Sequence, residues 1–205
     1  MTLNFFVDSA IIAVSGGIRT TETVFSPEAI IDSLWECRGT QIESVYKKTS
    51  RINPVWTNQY IPDFSAELQD EKNIIKFEIP PVLQLDELAL GFMYIGTTDC
   101  LNQYRLFRSR AEYASFRKHR VQRESTTPVV IYSDGILEVH NTKSNKIDLR
   151  IDGVFQRPTD LPTYNYDLSE IPLDAENIAI VRQMIIQTLL GPEAAAQAKL
   201  NQNKV

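Results

Sequence analysis

The sequence predicts an α+β fold in which helices at both ends of the chain pack around a small antiparallel β-sheet or sandwich. Apolar residues recur at helical spacing near both ends, whereas short apolar runs broken by prolines and acidic clusters occupy the middle. The composition, 43% hydrophobic and 23% charged, is that of a globular protein. We therefore expect one domain over residues 1–190, followed by an Ala-rich tail over residues 191–205.

Residues 1–50 have the pattern of two helices. The first ends at Gly16-Gly17, and its apolar residues recur at near-helical spacing: Phe5, Phe6, Ala10, Ile11 and Val14. The second is predicted over about 27 to 48, because Ser26 can cap it and Pro27 suits the first helical position. Ser50 to Pro54 ends it.

Residues 53–157 are predicted to be rich in β-structure. Four short strands are expected at Val55–Ile61, Ile74–Ile79, Phe92–Gly96 and Tyr104–Phe107. Ser109 and Glu112 have the spacing of a capping box, which predicts a helix that interrupts these strands. A hairpin with its turn at Ser133-Asp134-Gly135 and a half-buried strand over Lys146–Phe155 complete the sheet.

A further helix is predicted over residues 174–190. Asp174 is its expected cap, and Gly191-Pro192 stops it. Its apolar stripe consists of Ile178, Val181, Ile185 and Leu189. The tail that follows is either an exposed helix or disordered in the isolated chain.

The sequence lacks the motifs of an enzyme, and we expect neither a catalytic residue nor a metal site or cofactor. His119 lies in a basic run and His140 ends a predicted strand, and neither has a nucleophile or base beside it in sequence. Cys37 and Cys100 are far apart and form no metal-binding pattern, which favours buried or incidental thiols in a reducing compartment. Ala10–Val14 fits neither a signal peptide nor a membrane span, so a soluble, intracellularly made protein without a membrane partner is predicted.

One segment departs from the acidic character of the chain, whose net charge is −5. The segment between Leu101 and Ser125 contains seven Lys and Arg residues and two Glu residues, so its local charge is +5. Three roles remain open for it: a protein interface, a nucleic-acid contact through phosphates and interleaved aromatic rings, or a solvated face.

Four stretches of the chain have a further meaning as a set: Phe5 to Gly17, the helix after Ser26-Pro27 with Ser50–Trp56, Ile151–Pro158, and Ile171–Asp174. Together they resemble virion structural proteins of crAss-like tailed phages and, more broadly, the ring or adaptor subunits between portal and tail of short-tailed phages. The central β-rich part departs from the helical bundle that is common in such adaptors. This departure leaves the place of the protein in the tail open.

The resemblance implies a structural subunit of the virion, assembled in the host cytoplasm. It implies a homo-oligomeric ring, twelve-fold to match the portal, that contacts the portal and other tail or ring proteins and helps form the DNA exit channel in passive contact with phage DNA. The alternative is a nucleic-acid-binding accessory protein that uses the basic segment 105–123. The residues expected to contact neighbours are Phe5, Phe6, Ile11, Arg108, Arg110, Tyr113, Arg117, Lys118, Arg120 and Arg123.

Overall fold

The computed structural model is a mixed α+β protein with helices at both ends of the chain, which confirms the predicted fold class. It describes residues 1–14, 26–62, 68–69, 74–118, 127–133, 135–142, 147 and 149–190. The described helices are α1 (Leu3–Val14), α2 (Pro27–Thr49), α3 (Arg110–Arg117) and α4 (Ala175–Leu190). The described strands are β1 (Asn58–Tyr60), β2 (Leu68–Gln69), β3 (Ile74–Glu78), β4 (Gln84–Asp86), β5 (Ala89–Leu90), β6 (Phe92–Gly96), β7 (Arg105–Phe107), β8 (Val129–Ser133), β9 (Ile136–His140) and β10 (Arg150–Gly153).

The chain divides into two compact units. Unit 1 consists of Met1–Trp56, Gln84–Ala89 and Gln156–Val205. Unit 2 consists of Thr57–Leu83 and Leu90–Phe155. The predicted helical ends thus belong to unit 1, and most of the predicted β-rich range belongs to unit 2.

Unit 1 is built from α1, α2 and α4, each of which packs against the other two. On α1 the buried residues Leu3, Phe6, Val7 and Ala10 follow the i, i+3, i+4, i+7 spacing of one helical face. On α4, Val181 and Ile185 of the predicted stripe are fully buried. Two residues of the predicted α4 stripe therefore pack inward, whereas on α1 only Phe6 and Ala10 of the five predicted apolar residues are buried.

The predicted helix starts in unit 1 are confirmed by their caps. Ser26 Oγ accepts a hydrogen bond from the backbone N–H of Ala29 at the start of α2. Asp174 Oδ1 accepts one from the backbone N–H of Asn177 at 3.0 Å. Each bond satisfies an N–H group that has no partner within the first turn of its helix.

A buried arginine joins three parts of unit 1. Arg38 of α2 is fully buried and donates from Nη2 to the carbonyl oxygen of Trp56 at 2.9 Å and from Nε to that of Pro172 at 3.2 Å. Trp56 Nε1 in turn donates to Asp174 Oδ2 at 3.2 Å. Burial lowers the pKa of the Arg38 guanidinium to about 9, which leaves it charged at neutral pH.

Unit 2 contains two sheets. The five-stranded sheet has the order β2-β3-β9-β8-β7, and the three-stranded sheet has the order β1-β10-β6. The described pairs are antiparallel except for β7 and β8, which are parallel. A parallel pair needs a crossover between its strands, and α3 lies in that connection. The predicted antiparallel sheet therefore has one parallel pair at this edge.

The predicted hairpin is confirmed as β8 and β9. Gly135 has a φ of 81°, a left-handed value that favours glycine at this turn. Asp134, the other predicted turn residue, lies outside the described residues.

Two predicted strands are shorter than expected by three or more residues. The strand predicted at Val55–Ile61 is observed only over Asn58–Tyr60, because a 3-10 turn at Pro54–Trp56 precedes it and places Trp56 in the core of unit 1. The strand predicted at Lys146–Phe155 is observed over Arg150–Gly153, with Ile151 fully buried as the alternation requires. Among the helices that the structure describes, none has the length and hydropathy needed to span a membrane.

Candidate interaction surface

The basic segment is organised by α3, whose start is fixed by its own side chains. Ser109 Oγ accepts a hydrogen bond from the backbone N–H of Glu112 at 3.1 Å. Glu112 Oε2 accepts one from the backbone N–H of Arg108 at 2.9 Å. The predicted capping box is therefore confirmed, with the carboxylate reaching one residue before the cap.

The aromatic residues of the segment hold α3 on the five-stranded sheet. Phe107 of β7 is 1% exposed and forms a buried cluster with Val129 and Ile131 of β8. Tyr113 and Phe116 pack against this cluster, with ring centroids 5.4 Å and 5.0 Å from that of Phe107. These aromatic side chains serve packing first, so the buried Phe107 ring is not open to stack on a nucleic-acid base.

Two arginines lie over the outer surfaces of these rings. The guanidinium of Arg105 is 4.3 Å from the ring centroid of Phe116 and 5.2 Å from that of Phe107. The guanidinium of Arg117 is 5.9 Å from the ring centroid of Tyr113, and its Nη1 donates to Asn141 Oδ1 at 3.5 Å. Both distances to the nearest rings are within the range of cation–π attraction, which holds the cations on the helix–sheet face.

Glu138 is the centre of a polar cluster beside α3. Its side chain is 9% exposed, and Lys76 lies directly opposite it in the register of β3 and β9. Arg110 donates from Nε to Glu138 Oε2 at 3.2 Å and from Nη2 to Oε1. Lys76 Nζ lies 3.6 Å from Oε1, and His140 Nε2 lies 3.3 Å from Oε2. The carboxylate is thus compensated by groups from three elements, as a buried charge requires.

The cluster shifts the pKa of two groups downward. Hydrogen bonding from Arg110 holds the pKa of Glu138 below its ordinary value, and this effect exceeds the opposing effect of burial. Burial lowers the pKa of His140, against the opposing effect of Glu138. Glu138 is therefore ionised and His140 uncharged at neutral pH.

The His140–Glu138 contact has the distance that a catalytic base and its orienting carboxylate would show, so its surroundings matter. The ring of Tyr113 lies 5.1 Å from that of His140, whose side chain is 13% exposed. Glu138 is also bound by Arg110 and lies 3.6 Å from Lys76 Nζ, so His140 shares this carboxylate with two cations. A groove of about 350 Å³ in unit 2 is lined by residues 92–95 and 103–106.

Four described cations of the segment have no carboxylate within 4.0 Å: the half-buried Arg117, which binds Asn141, and three exposed residues. In the part of the chain that the structure describes, Arg105, Arg108 and Lys118 have no carboxylate within 4.0 Å. All three are exposed: Arg108 directly precedes the cap of α3, Lys118 follows the last residue of the helix, and Arg105 lies over Phe116. We call these three residues the basic face.

The structure brings five of the ten predicted contact residues together on unit 2. Arg108, Arg110, Tyr113, Arg117 and Lys118 all lie on or beside α3. Arg110 is engaged by Glu138, however, and Tyr113 is half-buried. Arg120 and Arg123, together with His119, lie outside the described residues.

The predicted contact residues of α1 differ in how exposed they are. Phe5 is 66% exposed and Ile11 is half-buried, so both present surface to solvent. Phe6 is fully buried in unit 1, and its assignment as a contact residue is wrong, because it lies on the face of α1 that packs inward. The spacing that predicted the helix could have separated Phe5 from Phe6, since adjacent helical residues point in different directions.

Sequence reasoning missed Glu138 and Arg38, the two buried charges described above. Glu138 interrupts the apolar run Ile136–Val139, which is a usable signal of a polar position in a strand covered on both faces. Its partners come from register and from α3, and neither follows from the sequence.

Neither a metal site among the described residues nor similarity to a known protein helps to assign a role to this surface. Within the described residues, His, Cys, Asp and Glu form no group of three that could hold a metal ion. No protein-family model matches the sequence, and a search of curated proteins gives no significant match.

Proposed function

We propose that this chain is a structural protein of a tailed-phage virion, a subunit of a connector or tail ring between portal and tail that helps form the DNA exit channel. The observation that carries the proposal is the basic face, three exposed cations beside α3 that have no carboxylate within 4.0 Å among the described residues. Arginine beside aromatic residues is typical of protein contacts. We propose no catalytic role, and the ring assembles in the host cytoplasm before it becomes part of the virion.

The motifs of the resemblance support this proposal through what they do in the fold. Ser50–Trp56 and Ile171–Asp174 meet around Arg38, because Trp56 and Pro172 accept its hydrogen bonds and Asp174 accepts that of Trp56. Side chains in these motifs therefore bind other parts of the same unit. Motifs with these internal contacts stabilise the fold of the subunit, and a ring subunit requires a stable fold.

The uneven distribution of charge between the two units suits a ring. A closed ring is made by head-to-tail contacts, so each subunit must present two different surfaces. The basic face lies on unit 2, whereas the chain's net charge of −5 is accounted for by unit 1, which has 14 Asp and Glu against 9 Lys and Arg. Unit 2 has 12 of each.

A second candidate function is that of a nucleic-acid-binding accessory protein. The same three unpaired cations favour it, since they could neutralise phosphates. The burial of Phe107 restricts this function to backbone contacts, without stacking of a base on that ring. Binding would then weaken steeply with added salt and show little sequence preference.

Electron microscopy of the purified full chain, alone and mixed with the portal protein of the same phage, tests the proposal. We expect closed rings in at least one of the two samples, with twelve-fold symmetry where the portal sets the copy number. A protein that stays monomeric in both would contradict the proposal. Salt-sensitive binding of DNA by that monomer would favour the second candidate.

A further inference from the structure

A line of acidic residues on α2 has the charge that a partner of the basic face requires. Glu28, Asp32 and Glu36 are all exposed and are spaced four residues apart, so they form one row along the helix. We call this row the acidic ridge. Like charges at this spacing repel each other and destabilise a helix, so the row is unfavourable for α2 alone.

Intramolecular contacts account for only part of the ridge. Asp32 Oδ1 lies 3.0 Å from Arg157 Nη2, and both side chains are more than half exposed. Glu28 lies in the first turn, where a negative charge complements the helix dipole. Glu36 lies beyond that turn and, among the described residues, has no cation within 4.0 Å.

The ridge and the basic face are opposite in sign, and each extends over more than one helical turn. Glu28 and Glu36 are eight residues apart on a helix, which corresponds to about 12 Å. Arg108 and Lys118 flank the eight-residue helix α3 and are ten residues apart, so the distance between them exceeds the helix length of about 12 Å. The pairing therefore rests on opposite charge along two helical surfaces and not on equal length.

We propose that the basic face of one copy of this chain docks on the acidic ridge of α2 in a second copy. The occupant of the basic face is thus a second copy, and the contact is head-to-tail because the two surfaces differ. This inference rests on the proposed ring and names the surfaces that join its subunits. Each copy would use its basic face toward one neighbour and its acidic ridge toward the other, so the contact can close a ring.

Charge reversal of each surface tests the pairing. The variant Arg108→Glu/Lys118→Glu makes the basic face acidic, and Glu28→Lys/Glu36→Lys makes the ridge basic. Each variant alone should lose assembly, with at least a tenfold weaker association measured by mass photometry, because like charges now face each other. The control Lys48→Glu/Arg51→Glu changes the net charge as much as the first variant does, at exposed positions beyond both surfaces, and should assemble as the wild type does.

Mixing the two reversed variants gives the most specific outcome. The acidified face of one variant complements the basic ridge of the other, and the unchanged surfaces complement each other too, so an alternating assembly should form. The chain that carries all four substitutions should also assemble alone. Failure of both the mixture and the four-fold variant to assemble would overturn the pairing.

Cross-linking of the wild type needs no substitution and covers the case in which a variant fails to fold. A zero-length carbodiimide should join the Lys118 amine to Glu28, Asp32 or Glu36 of another copy, identified by mass spectrometry on a mixture of isotopically light and heavy protein. Absence of this cross-link in an assembled sample would contradict the inference.

The outcomes for the pairing and for the ring can be told apart. If the wild type assembles and the charge-reversed variants assemble equally well, the pairing is wrong but the proposed ring is not. If the wild type never assembles, the proposed ring itself is wrong. Loss of DNA binding by the first variant, with assembly intact, would assign the basic face to nucleic acid and overturn the pairing.

Discussion

A single buried guanidinium holds together segments that are far apart in the sequence. Arg38 binds the carbonyl oxygens of Trp56 and Pro172, which are 18 and 134 residues away. No feature of the α2 pattern distinguishes this arginine from an exposed one, because its partners are backbone atoms of other segments. The sequence predicts the helix but not the role of this side chain.

Replacement of Arg38 by Met should destabilise the protein strongly. The substitution keeps an apolar stem but leaves at least two carbonyl groups without their donor, so we expect a loss of about 3 kcal/mol in the free energy of unfolding. Urea unfolding followed by circular dichroism measures it. The control Arg51→Met, at an exposed position just after α2, should change stability by less than about 0.5 kcal/mol. Equal effects of the two substitutions would contradict this account of Arg38.

The two thiols should differ in reactivity. Cys37 is buried in unit 1, and burial raises its pKa, whereas Cys100 is exposed. Because the thiolate is the reactive form, a native sample treated with a thiol reagent should modify Cys100 and leave Cys37 until urea unfolds the chain. The variant Cys100→Ser should then show no fast reaction. Fast modification of Cys37 in the folded protein would contradict its placement.

The pKa shifts at His140 and Glu138 predict loss of stability in acid. The folded pKa of His140 lies below the ordinary 6.5, so the unfolded chain binds the proton first as pH falls through that value. The folded pKa of Glu138 lies below 4.5, so its contribution is present above that value and is lost on further acidification. Lys76, Arg110 and Tyr113 are the other described groups that face these two side chains.

His140→Gln should therefore remove the first part of this dependence and keep the second. Urea unfolding between pH 7.5 and 5 should show a slope of at most about 1.4 kcal/mol per pH unit in the wild type and a smaller one in the variant. The comparison variant His119→Gln separates the two histidines. A slope that survives His140→Gln and vanishes with His119→Gln would show that the shift at His140 is not the cause.

At the scale of elements, the helix α3 is the clearest success of local sequence rules. The four residues from Ser109 to Glu112 predicted its start, and both capping bonds are present. Ser109→Ala should lower the free energy of unfolding by about 1 kcal/mol, measured by urea unfolding. Ser109→Asp, which keeps a capping oxygen, should retain most of that stability. An alanine variant as stable as the wild type would contradict the importance of this cap.

The sheet shows where local rules fail. The hairpin β8–β9 was predictable because its turn and both strands are contiguous. The parallel pairing of β7 with β8 was not, because it depends on where the chain returns after α3. The strands β2, β4 and β5 have two or three residues each and are too short to leave a periodic pattern.

For the basic segment, local sequence rules predicted the charge but not the tertiary contacts. Its charge was evident from the sequence, and its arginines do lie beside aromatic rings. The sequence did not reveal that Phe107 is buried or that Arg110 is bound by the buried Glu138. Of seven basic residues, only Arg105, Arg108 and Lys118 therefore constitute the described basic face, since burial and ion pairing depend on tertiary contacts.

At the scale of the whole molecule, charge is distributed unevenly between the two units. Unit 1 accounts for the net charge of −5, while the basic face lies on unit 2. Contacts between exposed opposite charges are screened by salt over about 10 Å at 0.1 M. An assembly joined through these surfaces should therefore weaken as salt is added, unless apolar residues such as Phe5 share the contact.

Sedimentation of the full chain over a range of concentrations and salt, with and without the portal protein, tests the central claim most directly. We predict a species several times heavier than the 23.4 kDa chain at low salt or with the portal, and its partial dissociation at high salt. A single 23.4 kDa species under all of these conditions would contradict the claim that this protein is a subunit of an assembly.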